Sequence, residues 1–212
     1  MPLYELRTYT LAPGAQPHYV KLAAEVGRKI RGDNYGKLEG YWTTEFGTLN
    51  QVVHLWSYES FAERERLRGE LQRNESWTKE YLPQTRPMMV AQENKLLTPV
   101  VPVTPPSDTG NVYELRWYRT HVGRAGEWLS LFKDILPFRD RYTRRVGLWQ
   151  TEVAQLNEVV HMWVYKDLND RAKARSTFAQ QPEWQAFAAK SAPLLAHMQS
   201  IVLLPAAHSP MK

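Results

Sequence analysis

Two short patterns hold the side chains best suited to chemistry, and each occurs twice. Glu5, Arg7 and Tyr9 alternate along one stretch and return as Glu114, Arg116 and Tyr118. His54 and Trp56 alternate along another and return as His161 and Trp163. An arginine presents a rigid fork of donors that can orient a carboxylate or carbonyl, and a histidine can anchor a ligand or move a proton near neutral pH. His54 and His161 are therefore the catalytic candidates, and all ten residues form the candidate ligand-binding set. Each also has a plainer reading: a histidine hydrogen-bonded within a core, a Glu–Arg pair neutralised on a strand, an aromatic ring that fills volume. The sequence leaves both open. No His or carboxylate spacing matches a metal site such as His-Glu-x-x-His, so neither a metal nor a cofactor is expected. Arg139, Arg141, Arg144 and Arg145 cluster in the second copy and read as a solvated face.

The elements that must position these residues follow from the repeat. Leu49 to Tyr58 returns 107 residues later as Leu156 to Tyr165, and Gly40-Tyr41-Trp42-Thr43-Thr44-Glu45 as Gly147-Leu148-Trp149-Gln150-Thr151-Glu152. Alternating aromatic and β-branched residues make both stretches strands, joined by a short hairpin. Leu3 to Tyr9 and Val112 to Tyr118 are further strands. Val20, Ala23, Gly27 and Ile30 fall on one helical stripe, as do Trp128, Leu131, Phe132, Ile135 and Phe138, with Pro137 set to kink or end the second helix. A second helix follows each hairpin behind the caps Ser60 and Asp167, and a last strand ends at Pro99 or Pro205. Each copy reads strand, helix, strand, strand, helix, strand.

The fold class is α+β: two tandem ferredoxin-like βαββαβ units closing into one intrachain α/β barrel. The units span residues 1–98 and 112–205, with a proline-rich linker at 99–111 and a tail at 206–212 too poor in apolar residues to pack. Alternation sorts the strand residues onto two faces. The expectation is that Tyr4, Leu6, Val53 and Leu55 face the helices. Glu5, Arg7, Tyr9, His54, Trp56 and Tyr58 would then line a single interior cavity with their second-copy counterparts. For the second strand the pattern does not choose between Glu45 with Glu152 and Trp42 with Trp149 as the inward pair.

Composition excludes several classes. The chain has no cysteine, so disulfides, thiolate metal sites and a cysteine nucleophile are ruled out. Its net charge of +5 comes from 27 basic and 22 acidic residues that interleave, as in Ala62 to Glu70. Such interleaving marks solvated helix faces, and nucleic acid is not an expected partner. No apolar run reaches the roughly 18 residues of a membrane span. With no leader pattern at the start, the expectation is a cytoplasmic protein without membrane contact.

Tyr4-Glu5-Leu6-Arg7-x-Tyr9, the block from Gly40 to Tyr58 and Asn74-x-x-Trp77 resemble the NIPSNAP family, over nearly the whole chain and twice. The second copy departs from the first at Leu148, Gln150 and Glu158. The resemblance implies the dimeric α/β-barrel superfamily, which includes cofactor-independent monooxygenases, haem-dependent enzymes, isomerases and proteins of no assigned activity. The expected function is binding of a small aromatic or carbonyl-containing molecule in the barrel interior. The alternatives are a non-enzymatic scaffold with a filled core, or a cofactor-independent monooxygenase or isomerase. Whether the chain is an enzyme stays open, and a homo-oligomer is expected.

Overall fold

A computed structural model describes residues 2–212. The first unit contains β1 (Leu3–Leu11), α1 (Gln16–Leu22), α2 (Arg28–Arg31), β2 (Lys37–Phe46), β3 (Gln51–Tyr58), α3 (Phe61–Arg73), α4 (Leu82–Thr85) and β4 (Met89–Pro99). The second contains β5 (Val112–Thr120), α5 (Ala125–Arg139), β6 (Arg144–Val153), β7 (Glu158–Tyr165), α6 (Leu168–Ala179), α7 (Pro182–Ser191) and β8 (Leu195–Pro205). The strands close into one barrel in the order β1-β3-β2-β8-β5-β7-β6-β4. The two seams, β2 with β8 and β4 with β6, join the units by backbone hydrogen bonds, so neither four-stranded sheet keeps its inner face open.

Local signals account for the element ends. Ser60 Oγ accepts from Glu63 N while the Glu63 carboxylate accepts from Glu59 N. Asp167 and Asp170 repeat this reciprocal cap before α6. Both hairpins turn through an asparagine with positive φ, Asn50 and Asn157, a conformation that asparagine tolerates better than most residues. α5 ends at Arg139, two residues after Pro137.

The face assignment expected from the sequence is inverted. Leu6, Val53 and Leu55 point into the barrel with Leu115, Val160 and Met162. A space walled by two sheets is dry from every side, so it takes the apolar face of each strand, where a polar side chain would lose its water uncompensated. The second strand, left open by the pattern, sends Trp42 and Trp149 inward. Trp42 meets Tyr113 of the other unit at 5.4 Å and Trp149 meets Tyr4 at 5.8 Å, a reciprocal pair across the seam. The indoles fold back over Gly40 and Gly147, where a Cβ would stand 2.0 and 2.3 Å from them.

The C-terminal tail also differs from expectation. The tail packs: Ala206 N donates to Tyr41 O, Tyr41 N donates to Ser209 Oγ, and Met211 is buried in the barrel core. The backbone hydrogen bonds of a strand rim anchor what composition alone marks as loose. The linker likewise lies against β6, with Val100 N donating to Leu148 O and Thr104 N to Val146 O.

Candidate functional site

Register places the polar set. Arg7 on β1 lies directly opposite His54 on β3, and Glu5 opposite Trp56. In the second unit Arg116 lies opposite His161, and Glu114 opposite Trp163. These residues face the helices, so the expected single interior cavity is replaced by two, one between each unit's sheet and its helices. The first holds about 150 Å³ and the second about 260 Å³.

Behind the wall of each lies a buried carboxylate. Glu5 Oε1 accepts from Arg7 Nη1 at 3.1 Å, Arg64 Nη2 at 2.5 Å and Asn94 Nδ2 at 2.9 Å, and Oε2 accepts from Tyr58 Oη at 3.1 Å. Glu114 repeats this with Arg116 Nη1 at 2.6 Å, Arg171 Nη2 at 2.6 Å, Ser200 Oγ at 2.8 Å and Tyr165 Oη at 3.2 Å. Burial by itself would raise both carboxyls, but the guanidiniums outweigh it and hold each down to about 2. The glutamates are consumed in structure. Neither lines a cavity.

The arginines are in excess. Arg7 Nε also donates to Tyr9 Oη at 2.6 Å, and Arg116 Nε to Tyr118 Oη at 2.5 Å. Arg31 stacks its guanidinium 3.2 Å from the Trp56 ring centre, and Arg139 lies 4.3 Å from that of Trp163. Arg139 is thus a buried wall residue rather than part of a solvated face. Five arginines line the first cavity and three the second, and no carboxylate lines either among the described residues.

Both histidines are neutral donors. Trp56 Nε1 donates to His54 Nδ1 at 2.6 Å, and Trp163 Nε1 to His161 Nδ1 at 2.6 Å. An indole nitrogen can only donate, so Nδ1 must be the bare nitrogen and Nε2 must carry the hydrogen. Burial, with Arg7 or Arg116 next in effect, pushes both imidazoles well below their ordinary value. A ring whose one lone pair is occupied and whose protonation is suppressed does not serve as a general base. What it offers is an Nε2–H. In the second cavity His161 Nε2 and Trp128 Nε1 are both buried without a hydrogen-bond partner, and burying a donor unpaired is costly unless an acceptor arrives.

All eight predicted residues other than the two glutamates therefore reach a cavity wall: Arg7, Tyr9, His54 and Trp56 line the first, and Arg116, Tyr118, His161 and Trp163 the second. Sequence reasoning missed the helix-borne arginines. Arg64 and Arg68 read as part of a solvated charge run, yet they recur 107 residues on as Arg171 and Arg175, and that recurrence was the available signal. Among the described residues no group of three or more His, Cys, Asp or Glu could hold a metal ion, and no helix is long and apolar enough to cross a membrane.

An eight-stranded closed barrel with helices outside, assembled from two βαββαβ units, defines a dimeric α/β barrel contained in one chain. A monooxygenase-like protein from Lactobacillus acidophilus shares this fold with a TM-score of 0.70 at 12% identity, over 96% of this chain and 93% of that one. An anthrone oxidase-like protein does so with a TM-score of 0.69 at 10% identity, over 98% and 92%. The family is fixed by sequence: the NIPSNAP model matches residues 4–102 and again 113–210, and the chain belongs to the NIPSNAP family. Protein NipSnap homolog 2 of Danio rerio is 30% identical over 217 residues, 99% of this chain and 75% of that protein. The NipSnap homolog of Dictyostelium discoideum is 30% identical over 210 residues, 96% and 87%.

Proposed function

We propose that the protein binds small aromatic molecules bearing an anionic or carbonyl oxygen, one in each sheet–helix cavity. One observation carries this reading: cavities lined by three to five arginines and no carboxylate, among aromatic rings and unpaired buried donors. Guanidinium forks match a carboxylate or enolate oxygen and the rings cover its planar body. The barrel interior, filled by its own side chains, is not the binding site in this reading. Because His54 and His161 act as donors, their part is to polarise and hold an oxygen rather than to take a proton. The chain itself thus favours binding over acid–base catalysis.

The test is calorimetric titration of the full chain with an aryl carboxylate and with its neutral primary amide. The acid should bind more tightly than the amide, and Arg68→Gln together with Arg175→Gln should weaken the acid about tenfold or more while leaving the amide little changed. Equal binding of acid and amide, or an acid indifferent to both substitutions, sinks the reading.

A further inference from the structure

We propose that the two cavities select different ligands: the second an apolar acid with two fused rings, the first a single-ring acid carrying further hydroxyl groups. This deepens the binding reading above and rests on it. The two sites share one end, where Arg7 or Arg116, the donor histidine and Arg68 or Arg175 would meet the anion. Beyond that end they diverge.

Opposite the histidine, β2 presents Tyr41 in the first unit where β6 presents Leu148 in the second. Tyr41 stacks on His54 at 5.1 Å with the rings 7° from parallel. In the second unit α5 covers His161 instead, with Trp128 at 6.3 Å and Phe132 at 5.1 Å. The remaining wall of the first cavity offers polar atoms from Tyr19, Gln72, Tyr81 and Thr85, whereas that of the second is mostly apolar, with Phe178, Trp184 and Phe187 and a single hydroxyl, Ser191. A hydroxyl-bearing ligand finds partners in the first. In the second it would find few partners and lose most of its water without replacement.

The C-terminal tail sharpens the difference. It brings His208 against Tyr41, ring centres 4.4 Å apart, with Nδ1 buried and without a partner. At the matching place in the second unit the linker brings Val100 and Val101 onto the apolar cluster. Size points the same way: about 150 Å³ accommodates one benzene ring, and the second cavity, at about 260 Å³, has room for another.

The experiment titrates the full chain with 2-naphthoate and with 3,4-dihydroxybenzoate, in the parent and in His208→Ala and Trp184→Ala. Neither substitution removes an arginine, although the Trp184 ring lies 5.8 Å from the Arg139 guanidinium, and both sites are only half-buried, so folding is checked simply by melting. Trp184→Ala should weaken 2-naphthoate about tenfold and leave 3,4-dihydroxybenzoate unchanged, and His208→Ala should do the reverse. Two equal sites for either compound, or both variants weakening both compounds alike, overturns the proposed division while leaving anion binding intact. If neither compound binds, or Arg68→Gln and Arg175→Gln are silent, the binding reading itself falls.

Discussion

In the first unit the helical layer is interrupted, and in the second it is continuous. Between α1 and α2 the chain makes a π-helical turn at Ala23–Gly27, and before α4 another at Ser76–Tyr81. α5 instead runs unbroken through fifteen residues and α7 through ten. The π turns change what reaches the cavity. Gly27 comes so close to Tyr81 that a Cβ there would stand 2.8 Å from the phenol ring, and Tyr81 is thereby held in the wall. The sheets of the two units are nearly superimposable in chemistry, each with Glu, Arg, Tyr, His and Trp in the same register. The comparison teaches that the strands fix an anion-seeking end while the helices decide the shape and polarity beyond it.

If the strand-borne end is the common part, damage to it should cost the two units alike. Glu5→Gln and Glu114→Gln each remove the one negative charge beneath a cluster of guanidiniums and leave them buried against one another. A loss of about 3–5 kcal/mol is expected from either, read by urea unfolding. A large effect in one unit and a negligible one in the other would show that the carboxylates, alike in geometry, are not alike in role.

Acid should act on both units through the same groups, with one addition in the first. Glu5 and Glu114 are depressed to about 2, so their stabilisation is complete above the ordinary carboxylate range and is lost as pH falls from there through about 2. The shift corresponds to on the order of 3 kcal/mol per carboxylate. The histidines are depressed too, so the unfolded chain binds protons first and stability falls from about pH 6.5 downward. His208, lowered to about 4 chiefly by burial and then by Arg28, adds to the first unit alone. Melting temperature followed from pH 7 to 4 should therefore drop less steeply in His208→Ala. Coincident curves would mean that the tail leaves the first cavity before acid reaches His208.

Much of this was legible in the residues. Leu49–Tyr58 and its return disclosed the repeat, and alternation with the residues at Ser60 and Asp167 disclosed the succession of strands and helices along each unit and their caps, because strand alternation and capping are local. The direction of each strand face was not. Alternation separates Arg7 and His54 from Leu6 and Val53, but only the closure of the barrel decides which set meets the dry interior. The two cavities depend on arginines such as Arg31 and Arg139, whose surroundings come from distant strands. The packed tail depends on Tyr41 backbone groups 168 residues before Ser209. No short-range pattern encodes such partners.

The glycines under the inward tryptophans give a smaller, symmetric test. Gly40→Ala and Gly147→Ala each drive a methyl into an indole held on all sides, so the ring or the strand must shift, at about 1–3 kcal/mol. Because Trp42 and Trp149 sit at the seam between units, thermal unfolding should remain a single transition. Two separated transitions in either variant would show that the units share less core than their reciprocal Trp–Tyr contacts imply.

The smallest effect bears on the histidines themselves. Trp56→Phe and Trp163→Phe keep a ring beneath Arg31 or Arg139 but delete the N–H that occupies His Nδ1, at about 1 kcal/mol each. Removing a hydrogen bond accepted only by the neutral imidazole shifts that imidazole upward toward its ordinary value, and nitrogen chemical shifts of the ring would show both the rise and the loss of a fixed tautomer. The two units need not respond alike. His54 lies under a single parallel Tyr41, while His161 is enclosed by Trp128 and Phe132. Should Trp56→Phe release His54 while Trp163→Phe leaves His161 neutral, enclosure by the helix, rather than the indole hydrogen bond, is what suppresses protonation in the second unit. The division between strand-set chemistry and helix-set environment would then reach the histidine itself.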